Sequence, residues 1–274
     1  MPELPEVETT VKSLNILIGL KVYKVKIYTN KLRYIIPKSI IKIQKDSKII
    51  NIQRIAKYIL IHFSSNFSIV VHLGMSGRLK MLSELKKRNK HDHFVIYFKN
   101  SKILVLNDPR KFGFIDFDHT KKIYLRKYFA VLGIDALSKK LNTDYIYKKI
   151  NKSEVPIKQI LLNQHIVSGI GNIYANEILF YCRINPLKKI SKLNKKNIFQ
   201  ILKNTRAVLR KAIIFGGSTI RDFKNTDGKF GSFQQIFKVY GKQNVKCPRY
   251  KCKGALKKII ITNRSTFFCS KCQN

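Results

Sequence analysis

The sequence predicts an α+β protein of two domains that ends in a small metal-binding β-hairpin. Three patterns predict this fold class. Apolar residues recur at helical spacing near the amino terminus, and they alternate with polar residues from Val22 to about Phe117. The second half has mostly helical patterns, and four of the five cysteines lie within the last 28 residues. A chain of 274 residues is long enough for two domains with cores of their own.

The amino-terminal half begins with a predicted helix over residues 3–18, because apolar residues from Val7 to Ile18 recur on one face. Alternating strands follow, including one that contains Ile41 and Ile43. Further predicted strands cover residues 58–63, 68–73, 93–98, 103–106 and 112–117. Many short strands at this spacing favour a sandwich or a barrel-like arrangement.

The second half is predicted to follow a linker at residues 133–143. Its candidate helices cover residues 143–151, 156–164, 172–182 and 194–215. Between the second and third of these lies Ser168-Gly169-Ile170-Gly171-Asn172, a turn in which Asn172 could cap the next helix. Free N–H groups at such a helix start favour a phosphate site, although many plain helical turns contain the same short glycine pair.

The carboxy-terminal segment carries two close cysteine pairs that are 16 residues apart. Thiolates in this pattern are typical of one tetrahedral zinc site on a β-hairpin, and four protein ligands would make the zinc structural. Because the segment 241–274 has nine Lys or Arg residues and no Asp or Glu, we expect it to face phosphates. The predicted zinc ligands are Cys247, Cys252, Cys269 and Cys272.

The first nine residues carry a candidate nucleophile. If Met1 is removed, Pro2 becomes a terminal secondary amine, and an α-amine with a pKa of about 8 is partly unprotonated near neutral pH. Such an amine can attack a sugar carbon and form an iminium, with Glu3 beside it to move protons. An ordinary helix start also explains Pro5 followed by Glu6 and Glu8, so chemistry alone leaves both interpretations open.

Charge and hydropathy narrow the class of partner. There are 55 Lys or Arg and 15 Asp or Glu residues, and the net charge of +40 indicates a polyanionic partner, for which we expect nucleic acid. Codon bias also contributes, because Lys, Ile and Asn are used heavily throughout. No apolar run approaches the roughly 20 residues of a membrane span, so we expect a protein of a prokaryotic cytosol or an organelle.

Motifs along the whole chain carry a family resemblance. The opening Pro2-Glu3-Leu4-Pro5-Glu6-Val7-Glu8-Thr9 resembles that of bacterial formamidopyrimidine-DNA glycosylases. The other matching motifs are Ala56-Lys57-Tyr58, His72-Leu73-Gly74-Met75-Ser76-Gly77, Lys90-His91-Asp92-His93, Asp108-Pro109-Arg110-Lys111-Phe112-Gly113, Gly169-Ile170-Gly171-Asn172-Ile173-Tyr174-Ala175-Asn176-Glu177, Asp227-Gly228-Lys229, Val239-Tyr240-Gly241-Lys242 and the terminal cysteines.

The resemblance implies a bifunctional glycosylase and abasic-site lyase that removes oxidised purines from double-stranded DNA. In that family Pro2 would attack C1′ and displace the base, and Glu3 would supply a proton. The iminium would then allow β-elimination, in which Lys57 takes part, and δ-elimination, in which Arg264 takes part. The family acts as a monomer in the bacterial cytoplasm, and zinc takes no part in its chemistry.

The same resemblance implies a set of DNA contacts. The residues assigned to DNA or phosphate binding are His91, Arg110, Lys152, Asn172 and Tyr240. Met75, Arg110 and Phe112 match three residues that fill the gap left by base extrusion, which otherwise costs a few kcal/mol. Residues 217–234 match a loop that caps the lesion.

The resemblance also implies domain boundaries, and it leaves two alternative functions open. It implies an N-terminal catalytic β-sandwich domain at 1–134, a helix–two-turn–helix domain at 135–240 and a zinc finger at 241–274. Three departures from the family pattern are the four residues between Cys247 and Cys252, Lys111 in place of arginine, and a linker without its two prolines. An endonuclease VIII-like enzyme for oxidised pyrimidines and a non-catalytic DNA-binding zinc-finger protein are the alternatives.

Overall fold

The computed structural model describes residues 2–43, 45–84, 88–150, 153–218 and 231–274. The chain forms two compact units. The first contains Met1–Ala130 and Phe215–Gln234, and the second contains Val131–Ile214 and Gln235–Asn274. The predicted α+β class is confirmed, since strands dominate the first unit and helices the second.

The first unit is a β-sandwich, as predicted. Its two antiparallel sheets have the strand orders β2-β3-β4-β8 and β1-β6-β7-β5. Alternate residues of both sheets, such as Ile61 and Ile96, share one apolar core because successive side chains of a strand point to opposite faces. The strands are β1 (Val22–Ile27), β2 (Ile49–Ile55), β3 (Tyr58–Phe63), β4 (Phe67–His72), β5 (Arg78–Leu82), β6 (Asp92–Phe98), β7 (Ile103–Asn107) and β8 (Phe114–His119).

The described residues of the first unit also form three α-helices. Helix α1 (Leu4–Leu14) has Pro5 in its first turn, where the fixed backbone of proline is favourable, and it buries Val7 and Val11 in the sandwich core. Short helices α2 (Thr120–Ile123) and α3 (Lys127–Ala130) follow β8. Residues of α2 and α3 join a smaller apolar cluster with β3, β4 and β8.

One predicted strand in this unit is wrong, and one observed strand was not among the predictions. The stretch with Ile41 and Ile43 is not a strand, because a 3₁₀ helix covers Lys38–Lys42. Ile40 and Ile43 are buried while Ile41 is 61% exposed, so the buried residues lie three apart, which suits a 3₁₀ turn. Strand β5 was not predicted, since only Leu79 of its first three residues is apolar and buried.

The second unit contains the helices of the predicted DNA-binding half. They are α4 (Thr143–Ile150), α5 (Ile157–Leu162), α6 (Asn172–Cys182) and α7 (Lys195–Ile214). The predicted linker is in part a strand, because β9 (Ile134–Asp135) pairs in parallel with β10 (Val167–Ser168). Gly133 allows this approach, since a Cβ there would lie 2.3 Å from the carbonyl oxygen of Ile166.

The predicted cysteine hairpin is present at the end of the second unit. Strands β11 (Leu256–Ile261) and β12 (Arg264–Cys269) pair in antiparallel register. Thr262 and Asn263 both have positive φ, as the two-residue turn of type I′ requires. The turn therefore places Arg264 as the first residue of β12.

Candidate functional site

The amino-terminal residues of the first unit are buried against their own helix start. Pro2 is buried and Glu3 is 2% exposed. The Glu3 N–H donates to Glu6 Oε2 at 2.8 Å, which is half of a capping box. Glu6 Oε1 accepts both the N–H and the hydroxyl of Ser218, at 2.7 and 3.0 Å. One buried carboxylate thus fixes the Pro2-Glu3 segment and the chain entering residues 219–230.

Lys57 lies in the tight turn between β2 and β3 and is 7% exposed. Arg54 ties this turn to α1, because its Nε donates to Glu8 Oε2 at 2.7 Å and its guanidinium also donates to the carbonyl of Ala56 at 2.9 Å. Ala56 has φ of +52°, so the turn has a defined left-handed residue directly before Lys57. The helix that carries Glu3 and the turn that carries Lys57 are therefore held together.

Positive charge near Lys57 acts on a neighbouring histidine. Burial, together with the smaller effect of the positive charges of Lys57 and Arg33, lowers the pKa of His72 to about 4. Neutral His72 can then accept the N–H of Gly74 at Nδ1, at 3.1 Å. This bond fixes the start of the turn that carries Met75.

The three predicted gap-filling residues lie on two loops that touch. Met75 is 43% exposed and Phe112 is 45% exposed, although large apolar side chains are usually buried. The Arg110 guanidinium lies 4.6 Å from the centroid of the Phe112 ring. A Cβ on Gly74 would lie 2.4 Å from the backbone N of Gly113, so the two loops meet backbone to backbone.

His91 belongs to a third loop, which contacts the loop that carries Arg110 and Phe112. Its side chain is partly buried, and its carbonyl accepts the N–H of Asp108 at 3.0 Å. Asp108 directly precedes the loop of Arg110 and Phe112. The first unit therefore brings His91, Met75, Arg110 and Phe112 onto neighbouring loops.

Two predicted features fall wholly or largely outside the described residues. Lys152 lies outside them, as do residues 219–230 of the predicted lesion-capping loop. The two ends of that loop are described and are joined. The N–H of Phe233 donates to the Gly217 carbonyl at 3.1 Å, and a Cβ on Gly231 would lie 2.4 Å from the same oxygen.

In the second unit, Asn172 contacts the start of β12 in the cysteine hairpin. The predicted cap is one residue earlier, since Gly171 is the N-cap and Asn172 is the first helical residue. Asn172 Nδ2 instead donates to the Ser265 carbonyl at 3.0 Å. The bond places Asn172 beside the residue that directly follows Arg264, the other predicted phosphate-binding residue of this unit.

Lys158 also contacts the start of β12, and no sequence pattern predicted this role. It lies on α5 with 0% exposure, and its ammonium donates to Thr266 Oγ1 at 2.6 Å and to the Ser265 carbonyl at 3.2 Å. A fully buried lysine is rare. In a chain with 55 Lys or Arg residues, nothing in the sequence distinguishes this lysine from the exposed ones.

Helix α6 holds Tyr240 and the hairpin through two buried polar side chains. Glu177 accepts the N–H groups of Lys238, Val239 and Tyr240 at 2.9, 3.0 and 2.9 Å. Burial raises the pKa of Glu177, although these three donors act in the opposite direction. Asn176 Oδ1 accepts the N–H of Phe267 in β12 at 2.7 Å, so both segments are fixed to one helix face.

The four predicted ligands form a cluster that fits one metal ion. All four sulfur atoms lie within 4.8 Å of one another. Cys247 and Cys272 have their Sγ atoms 3.8 Å apart, and those of Cys252 and Cys269 are 3.7 Å apart. A tetrahedron with Zn–S bonds of about 2.3 Å has edges of about 3.8 Å, so the donors and their spacing suit zinc. The four-residue spacer after Cys247 still allows the cluster to close.

Among the described residues, no helix is long and apolar enough to cross a membrane. Family models match most of the chain: the formamidopyrimidine-DNA glycosylase N-terminal domain at residues 1–115, and the H2TH domain of the same family at residues 132–224.

Curated relatives are similar over their whole length. A formamidopyrimidine-DNA glycosylase of Haemophilus influenzae is 40% identical, covering 100% of this chain and 99% of the relative. One of Zymomonas mobilis is 41% identical over 100% of both chains.

Solved structures of a Lactococcus lactis protein are also similar. The complex of the Lactococcus lactis Fpg with DNA containing an abasic site has a TM-score of 0.90. A mutant of that protein in complex with DNA containing Fapy-dG has a TM-score of 0.91. Each is 30% identical to this chain, and both comparisons cover 100% of both chains.

Proposed function

Because the chain belongs to the formamidopyrimidine-DNA glycosylase family, we propose that it is a base-excision repair glycosylase and abasic-site lyase that removes oxidised purines from duplex DNA. The observation that carries the proposal is the full-length similarity at about 40% identity together with Pro2, Glu3 and Lys57 at their motif positions. The Lactococcus lactis complexes with Fapy-dG and abasic-site DNA support both activities.

The proposed chemistry starts at Pro2 once Met1 has been removed. The amine attacks C1′ of the damaged nucleoside, and the bond to the base breaks. Glu3 protonates the opening sugar or the leaving group, a role that suits its burial next to the amine. The sugar ring then opens: the bond from C1′ to O4′ breaks, O4′ takes up a proton to become a hydroxyl, and an iminium forms between Pro2 and C1′.

The iminium then acts as the electron sink for strand cleavage. It acidifies the C2′ proton, and removal of that proton expels the 3′ phosphate by β-elimination. We assign proton transfer or phosphate contact in this step to Lys57. A second elimination expels the 5′ phosphate, and we assign phosphate binding in that step to Arg264. One nucleotide is thereby lost.

The remaining residues are proposed to bind DNA. His91 and Arg110 would contact the duplex from the first unit, and Asn172 and Tyr240 would contact phosphates from the second. Lys152 stays a proposed DNA contact. The four cysteines would hold one structural zinc, which cross-links the hairpin and leaves no coordination position open. We also propose that the protein works as a monomer in the bacterial cytoplasm.

Borohydride trapping tests the central step. The purified protein is incubated with a duplex that has one 8-oxoguanine opposite cytosine, reduced and digested for peptide mapping. We expect a covalent adduct at Pro2. If the intact mass shows that Met1 is still present, Pro2 has no free amine, and the trapping is repeated with protein from which Met1 has been removed. A processed protein that traps only duplexes with oxidised pyrimidines would favour the endonuclease VIII-like alternative, and one that traps neither would favour the binding-only alternative.

A further inference from the structure

Asp108 is a buried carboxylate at the meeting point of three loops. It is 0% exposed. Its Oδ1 accepts the Ser76 hydroxyl at 2.6 Å, and its Oδ2 accepts the Gly113 N–H at 2.8 Å. Its backbone N–H donates to the His91 carbonyl at 3.0 Å, and its own carbonyl accepts His93 Nε2 at 2.9 Å. One residue thus bonds the loops that carry Met75, His91 and Phe112.

Ser76 links Asp108 to Arg110 through hydrogen bonds. Its hydroxyl donates to Asp108 and also accepts the N–H of Arg110, at 3.2 Å. The residue after Met75 is therefore bonded to the backbone of Arg110 through the same oxygen that Asp108 orients. Loss of the carboxylate would leave Ser76 free to rotate away from Arg110.

Glycines leave these loops little freedom to adjust. A Cβ on Gly77 would lie 2.3 Å from the Leu73 carbonyl, and one on Gly113 would lie 2.6 Å from the His72 carbonyl. Gly74 has φ of +62° and meets the backbone of Phe112. Because the backbones are this close, neither loop can shift without a clash with the other. The hydrogen bonds to Asp108 therefore fix the positions of both loops together.

The charge of Asp108 gives a second reason to assign it a positional role. A buried anion beneath exposed DNA-facing groups weakens attraction to phosphates, and a buried carboxylate is costly unless its oxygens are bonded. Both oxygens of Asp108 accept from neutral donors of two different loops. The Asp108 carboxylate therefore holds the two loops in position, while its negative charge weakens the attraction of this surface to phosphates.

We propose that Asp108 is a positioning residue for base extrusion, which aligns Met75, Arg110 and Phe112 so that they enter the base stack as one unit. The inference rests on the proposed function. An exposed Met75, an exposed Phe112 and the Arg110 guanidinium 4.6 Å from that ring form a wedge only while the two loops keep their relative position. Asp108 touches neither lesion nor sugar in this role.

The test separates extrusion from chemistry with two substrates. One is a duplex with 8-oxoguanine opposite cytosine, whose lesion must leave the stack. The other is a single-stranded oligonucleotide with an abasic site, whose cleavage needs the lyase chemistry and no extrusion from a duplex. Single-turnover rates on both are measured for the wild type, Asp108→Asn, Ser76→Ala and the control Asp46→Asn, which removes an exposed carboxylate by the same substitution.

We expect Asp108→Asn to slow duplex excision by roughly tenfold to a hundredfold, because its amide places a donor against one of the two donors that now bond the carboxylate. Ser76→Ala should slow it by roughly threefold to tenfold. Both variants should cleave the single-stranded abasic site within about twofold of the wild type, and Asp46→Asn should match the wild type on both substrates. A 2-aminopurine beside the lesion should show reduced unstacking for the two loop variants only.

Several outcomes would overturn the proposal. Equal losses on both substrates would assign Asp108 to chemistry or folding, and unchanged duplex excision would remove any role in extrusion. If Asp108→Asn does not fold by circular dichroism, Ser76→Ala decides alone by the same ratio. A wild type inactive on both substrates would contradict the proposed function itself, whereas an active wild type with unaffected variants contradicts only this inference.

Discussion

The two units hold their functional residues in place by different means. In the first unit a large apolar sandwich core supports loops that buried carboxylates fix, with Glu6 bonding Ser218 and Asp108 bonding Ser76. In the second unit the hairpin has a small core that includes two of the cysteines themselves. The difference indicates that the first unit depends on packing, whereas the hairpin of the second unit would depend on the metal ion that its cysteines are proposed to bind.

Metal removal should give the largest effect, and it should destabilise the hairpin of the second unit without destabilising the first unit. We expect chelation, or Cys269→Ser, to unfold the hairpin, because a four-thiolate zinc site contributes on the order of 10 kcal/mol to the structure it closes. Hydrogen exchange should speed up in β11 and β12 and stay slow in β3 and β4. Cys182→Ser is the matched control, since Cys182 lies outside the cluster. Loss of protection in both units together would contradict the division.

The nucleophile should give the next largest effect, confined to chemistry. Pro2→Gly keeps a terminal amine but changes it from secondary to primary and frees the backbone before α1. We expect base excision to fall by roughly a hundredfold or more, while DNA affinity stays within about threefold. Excision rates and titrations on one lesion duplex measure the two quantities. Near-wild-type excision would remove Pro2 from the mechanism.

Acid should act on the sandwich through His72. The pKa of His72 is about 4 in the folded chain and about 6.5 when unfolded, so the unfolded chain binds the proton first as pH falls below 6.5. Stability should therefore decrease from pH 6.5 to 4, by up to about 3 kcal/mol from this group. His72→Asn keeps an acceptor for the Gly74 N–H and should flatten this part of the stability profile. His119→Asn makes the same substitution at an exposed histidine and serves as the control.

The sequence predicted a region well where the pattern that defines the region lies within one short segment of the chain. The cysteine cluster, α6 and the strand at 58–63 were found because spacing within one segment defines them. The motif at 108–113 was found, but the convergence of Asp108 on Ser76 joins residues 32 positions apart and has no local pattern. Lys158 was missed for the same reason, since its partners are more than 100 residues away.

That buried lysine gives the smallest and most local prediction. Lys158→Met keeps the length of the side chain but removes the donors to Ser265 and Thr266, and each lost bond to a charged group is worth about 1.5–3 kcal/mol. We expect the start of β12 around Arg264 to loosen, so that lesion-DNA affinity falls roughly tenfold while one zinc per chain is retained. Lys196→Met removes an exposed lysine of the same unit and controls for the lost charge. Equal losses in both variants would mean that Lys158 acts only through its charge, and loss of zinc in Lys158→Met would mean that the lysine supports the metal site instead of the start of β12.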